Sequence, residues 1–193
     1  MLSSGLVEQT KLLLRLLWQP SAATGAILDR GSLLFATLVV VAVSLLLPRF
    51  GFAFSFYTPL LVLALVYVPG VLVLSKLCAG PGGSLGAVFQ RDYSPLLTCT
   101  AMAWAAANVP LVLAAFLLPP FVLIYVAVPT NLFFAVLMFF AVRTVFGAEN
   151  GVAVAVVGLS WIPLVAAAFL WGPLRFYWGG LLLPSSSFTP TTT

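Results

Sequence analysis

Charge is spaced along this chain in a way that few folds allow. Eighteen uncharged residues separate Arg30 from Arg49, 26 separate Arg49 from Lys76, 50 separate Asp92 from Arg143 and 25 separate Glu149 from Arg175. A helix that crosses the hydrocarbon core of a bilayer needs about 20 mainly apolar residues. Each gap therefore holds one crossing, and the longest holds two, turned at Pro119-Pro120. The expected spans are Ser32–Leu47, Tyr57–Leu74, Leu96–Leu118, Phe121–Val142 and Val152–Leu174. None alternates apolar and polar residues as a barrel strand does, and irregular backbone does not face lipid. The fold class that follows is an all-α integral membrane protein with five transmembrane helices. Composition agrees, with 6% charged and 63% hydrophobic residues, where an average globular domain is about a quarter charged.

Orientation follows from the basic residues. With the N-terminus cytoplasmic, Lys11, Arg15, Arg30, Lys76, Arg91 and Arg143 lie inside, and only Arg49 and Arg175 lie outside. A five-span chain then ends outside. The net charge of +4 is thus a topology signal; without a basic cluster it does not point to nucleic acid. Residues 1–30 read as cytoplasmic pre-span helices, 31–175 as the membrane domain, and 176–193 as an aromatic anchor with a flexible tail rich in Ser and Thr.

The run Leu6 to Trp18 is not a signal peptide, because Arg15 interrupts a short apolar stretch and no cleavage site follows. Glu8, Lys11 and Arg15 stand at helical spacing on one face, while Leu6, Leu13, Leu14 and Leu17 cover much of the other. Trp18 suits the headgroup region. This pattern predicts an N-terminal amphipathic interfacial helix, and it equally suits a scaffold helix on the bundle; the two are compatible. Pro20 ends it, with Ser21 or Thr24 as caps of a second short helix reaching Asp29-Arg30. After the breaker Gly80-Pro81-Gly82-Gly83, a second interfacial segment is expected, with Val88, Phe89 and Tyr93 on lipid and Gln90, Arg91 and Asp92 in water. Lys11, Arg15, Leu13, Leu17, Trp18 and Arg91 are the candidate membrane-interface residues.

Catalysis has little to work with. The chain holds no histidine, which removes histidine-dependent triads and HExxH zinc sites. All four carboxylates lie outside the expected spans, so no intramembrane acid pair is formed. Cys78 and Cys99 stand apart without histidine partners and read as packing residues. No cofactor, metal site or enzymatic activity is expected. Prolines interrupt four spans at Pro69, Pro110, Pro129 and Pro163, near Asn108, Tyr125, Thr130, Asn131 and Ser160. Broken helices of this kind bind ions in transporters, but coupled transport usually also places a charge inside the membrane. Asn108, Thr130 and Asn131 are therefore candidates for helix packing or a polar cavity. Small residues at Ala101, Ala103, Ala105, Ala106 and Ala107, and again at Gly151, Ala153, Ala155, Gly158 and Ala166 to Ala168, favour close helix contact. Phe133, Phe134, Phe139 and Phe140 read as a face toward lipid or a partner.

The order of these parts resembles the Yip family, five-span membrane proteins that interact with Ypt/Rab GTPases. The local likeness lies in Pro20 to Leu28 ahead of span one, Gly83 to Phe89 with Tyr93-Ser94-Pro95 leading into span three, and Gly147 to Val157 leading into span five; it covers about residues 20–175. Eukaryotic members carry a long polar N-terminal region that contributes to Rab binding. Here the residues before span one are few and amphipathic, so the chain is similar to compact bacterial members. The resemblance implies a bacterial cytoplasmic membrane and no particular functional residue. The expected function is a non-enzymatic scaffold in the lipid bilayer, either organising the membrane or serving as an accessory subunit, with a membrane-protein partner or as a homo-oligomer. The alternative is a small transporter or channel built on the proline-broken spans.

Overall fold

A computed structural model describes residues 2–47, 58–79 and 84–162. Arg49, the breaker at 80–83, Pro163, the aromatic anchor and the Ser/Thr tail lie outside the described residues, as does the second half of expected span five. Helices account for nearly all of what is described, and no strand occurs among the described residues. They are α1 (Leu2–Trp18), α2 (Pro20–Arg30), α3 (Leu33–Leu46), α4 (Thr58–Val62, a π turn at Leu63–Tyr67, then Val68–Ala79), α5 (Leu85–Leu117), α6 (Pro120–Phe146) and α7 (Asn150–Ile162).

Local chemistry sets several of these boundaries. Ser32 and Ser84 cap α3 and α5, each accepting a hydrogen bond at 3.3 Å from the backbone N–H three residues on. Gly147 closes α6 in the left-handed conformation, φ 61°, where a side chain would be strained. At α2 the expected cap is not used. Gln19 holds the cap position without a side-chain bond, Pro20 occupies the first turn, and Thr24 instead donates to the Pro20 carbonyl at 2.7 Å. Proline needs no N–H partner at a helix start, so Pro20 sets the boundary by itself.

Among the described residues three helices, rather than five, are long and apolar enough to cross a membrane: Pro59–Cys78, Leu85–Leu117 and Tyr125–Phe146. At a rise of 1.5 Å per residue, the 33 residues of α5 extend about 50 Å, well past a hydrocarbon core of roughly 30 Å. The 14 residues of α3 reach only about 21 Å, and α7 is shorter still within the described residues.

α5 is the hub, packing on α1, α2, α3, α4 and α6. Its centre explains why. Ala101, Met102, Ala103, Ala105, Ala106 and Ala107 are all buried, and small side chains let neighbouring backbones approach closely. The small residues of α7 behave differently: Ala153 is buried, but Gly151, Ala155 and Gly158 are exposed. Phe134, expected to face outward, is buried between Tyr67 and Trp161, with ring centroids 5.6 and 6.5 Å away. Beside it the Tyr67 hydroxyl meets Ser160 Oγ at 3.3 Å, and Ser160 donates to the Val157 carbonyl at 2.7 Å. Tilted and edge-on ring contacts and a satisfied polar pair thus join α4, α6 and α7.

Candidate functional site

The hairpin of α1 and α2 is the most chemically differentiated surface among the described residues. Leu12 and Leu16, one turn apart, are buried against the bundle together with Ala23 and Ile27 of α2. Gln9 stands one turn earlier on the same face and works as a clamp. Its amide donates to the Arg30 carbonyl at 2.7 Å and accepts from the Ser32 N–H at 3.2 Å, so one side chain satisfies the end of α2 and the start of α3. Gly31 allows the tight join: a Cβ there would fall on the Ile27 carbonyl oxygen and 2.9 Å from Ile27 Cγ2. Glu8 and Arg30 add a pair at 3.5 Å, both largely exposed, worth little by itself.

The opposite side of α1 is where chemistry faces outward. Val7, Leu14 and Trp18 recur at intervals of seven and four, one stripe of the helix. All three are exposed, Trp18 to 83%. At 100° per residue this stripe lies about 180° from Leu16, so α1 carries two apolar faces, one on the bundle and one turned away. Lys11 and Arg15 flank the outer stripe and are exposed. Leu13 and Leu17, expected on the membrane face, are half-buried and pack on the core; the residues presented outward are Val7, Leu14 and Trp18. The reason is that α1 docks through Leu12 and Leu16, which turns Leu13 and Leu17 onto its flank.

Arg91 is exposed, as expected, but its neighbours are not where the sequence put them. No separate interfacial segment precedes span three, because α5 runs unbroken through Pro95. That continuity puts Val88 and Asp92, one turn apart, on the buried side. Phe89 and Tyr93 stack beside them, centroids 6.4 Å apart, and pack on the core. The exposed Arg91 folds back and holds the Asp92 carboxylate with two hydrogen bonds of 2.7 and 2.8 Å, a forked geometry that compensates a buried charge.

Each candidate cavity residue hydrogen-bonds within its own helix. Asn108 donates to the Trp104 carbonyl at 2.9 Å, Thr130 to Val126 at 2.9 Å and Asn131 to Ala127 at 2.8 Å. Thr130 is buried, Asn108 half-buried and Asn131 exposed. Cys78 is exposed and Cys99 buried, both free, and no group of three or more metal-ligating residues occurs among the described residues. Sequence reasoning missed the half-buried Gln9, although a polar residue in the stripe of Leu12 and Leu16 is a readable signal, since an amide drawn toward a packed face seeks partners. Compared with protein-family models, curated proteins and solved structures, the chain finds no match.

Proposed function

We propose that this chain is a non-enzymatic scaffold integral to a bacterial cytoplasmic membrane, built on the five-span plan of the Yip family, with α1 and α2 on the cytoplasmic face. The single observation that carries the reading is the pair of apolar faces on α1. A soluble helix needs one such face. The inner one, Leu12 and Leu16, holds α1 to the bundle. The outer one, Val7, Leu14 and Trp18 with Lys11 and Arg15 beside it, has the composition of a helix lying in the interface plane. Through that face the protein organises lipid, a membrane-protein partner or further copies of itself, either as a membrane-organising protein or as an accessory subunit. The alternative, a transport path through the proline breaks, would draw on Asn108, Thr130 and Asn131, each of which donates one hydrogen bond to a carbonyl of its own helix.

Two measurements test the reading. A fluorescent label on Leu14→Cys, in a Cys78→Ser background reconstituted in vesicles, is expected to be quenched by lipid-borne quenchers at headgroup depth and shielded from iodide. A label fully open to iodide overturns the interfacial placement. Extraction in mild detergent with crosslinking is expected to recover a stoichiometric partner or a homo-oligomer; a lone monomer overturns the scaffold.

A further inference from the structure

A groove of about 720 Å³ opens between the outward sides of α1 and α2, within the roughly 300–1,000 Å³ range of small-molecule sites. Its charges are of both signs. Glu8 and Arg30 pair with each other. Lys11 and Arg15, one turn apart on α1, then share the groove with Asp29 of α2. None of these three side chains makes an ion pair or hydrogen bond among the described residues, and all are exposed. Leu14 and Trp18 line the same groove, so its wall is continuous with the outer apolar stripe.

We infer that the groove binds the headgroup of a zwitterionic phospholipid bearing a primary ammonium, phosphate on Lys11 and Arg15 and ammonium on Asp29. The charge pattern selects this chemistry. A lone phosphate satisfies the two cations and sets a second anion near Asp29. A phosphate with an ammonium a few bonds away satisfies all three, and the N–H donors of a primary ammonium reach a carboxylate as a quaternary one does not. Leu14 and Trp18 favour the lipid over a soluble phosphoamine, because they receive the glycerol and first acyl carbons where an amphipathic side chain sits best. The inference rests on the interfacial placement of α1 proposed above and adds a ligand to it.

The test uses the full chain in mild detergent, with bound lipid counted by native mass spectrometry. The probes are phosphatidylethanolamine, phosphatidylcholine and phosphatidylglycerol of identical acyl chains, with soluble phosphoethanolamine as competitor. The ethanolamine lipid is expected to bind roughly tenfold tighter than the other two, the scale of one charge-assisted hydrogen bond. Lys11→Gln with Arg15→Gln is expected to weaken all three, and Asp29→Asn to erase the preference for ethanolamine alone, with helix content unchanged. Equal binding of the three lipids, or a Lys11/Arg15 variant that binds as the parent does, overturns the site. Displacement by soluble phosphoethanolamine at the same concentration as the lipid overturns the lipid as its source. If the label at residue 14 stays at headgroup depth while the lipids bind alike, the site alone fails; if the label is open to water, the interfacial placement fails with it.

Discussion

At Gly31 the chain passes from α2 to α3 with its N–H bonded to the Ile27 carbonyl at 2.7 Å, and no room is left for a side chain on that side. Gly31→Ala is therefore expected to push the join open and to disturb the two Gln9 bonds that close it. A loss of about 1–3 kcal/mol is expected, read as a lower thermal midpoint in detergent and faster hydrogen exchange in α1. Unchanged exchange in α1 would show that the clamp is not shared between the two residues. A contrasting case is Thr100, on the buried side of the hub helix. Its hydroxyl, with those of Ser44 and Ser75, has no hydrogen-bond partner among the described residues, and an unpaired buried hydroxyl costs about 1–3 kcal/mol. Thr100→Val keeps the shape and removes the unpaired group, so the midpoint is expected to hold or rise. A fall would reveal a partner for that hydroxyl.

Among the elements, a change of backbone register and a cross-helix contact meet at one carbonyl. In α4 the five residues Leu63–Tyr67 form a π turn, which shifts the ladder and frees carbonyls. One of them, Ala64, is met by the Tyr93 hydroxyl of α5 at 2.9 Å. Tyr93→Phe is expected to cost about 1 kcal/mol and to speed hydrogen exchange at residues 63–68 while leaving the rest of α4 protected; uniform protection would detach the turn from Tyr93. Pro69, with no N–H for the Ala64 or Leu65 carbonyl, marked a break here, but nothing in Leu-Ala-Leu-Val-Tyr gave it the form of a π turn. The spacing of charges did mark α4, α5 and α6, because a long apolar run admits few other structures. It could not tell where α5 begins. Pro95 reads as a boundary in one dimension, yet the helix continues through it and carries Asp92 inward under the Arg91 fork. For α1 the spacing identified the exposed cations Lys11 and Arg15 and the exposed Trp18. Leu13 and Leu17, which the same spacing offered to lipid or to the bundle, pack on the core, because the docking face of an amphipathic helix is chosen by its neighbours.

Sidedness belongs to the whole molecule, and the positions of charge and thiol make it measurable. Short connections turn the chain back between α5 and α6 and again between α6 and α7, as antiparallel neighbours require. Arg91 stands near the start of α5, Arg143 near the end of α6 and Lys76 near the end of α4, so alternating directions gather them at one end. If that end is cytoplasmic, as the excess of basic residues predicts, Cys78 is a natural reporter: it lies two residues beyond Lys76 and is exposed, whereas Cys99 is buried in the alanine-rich centre of α5. A membrane-impermeant maleimide is expected to label the protein in inverted vesicles and to leave it unlabelled in intact spheroplasts. Cys78→Ser is expected to abolish the labelling and Cys99→Ser to preserve it. Labelling from the outer side would reverse the orientation and move α1, its outer apolar stripe and the groove beside α2 to the other face. Labelling of Cys99 in the folded protein would contradict the close packing around α5 on which the bundle depends.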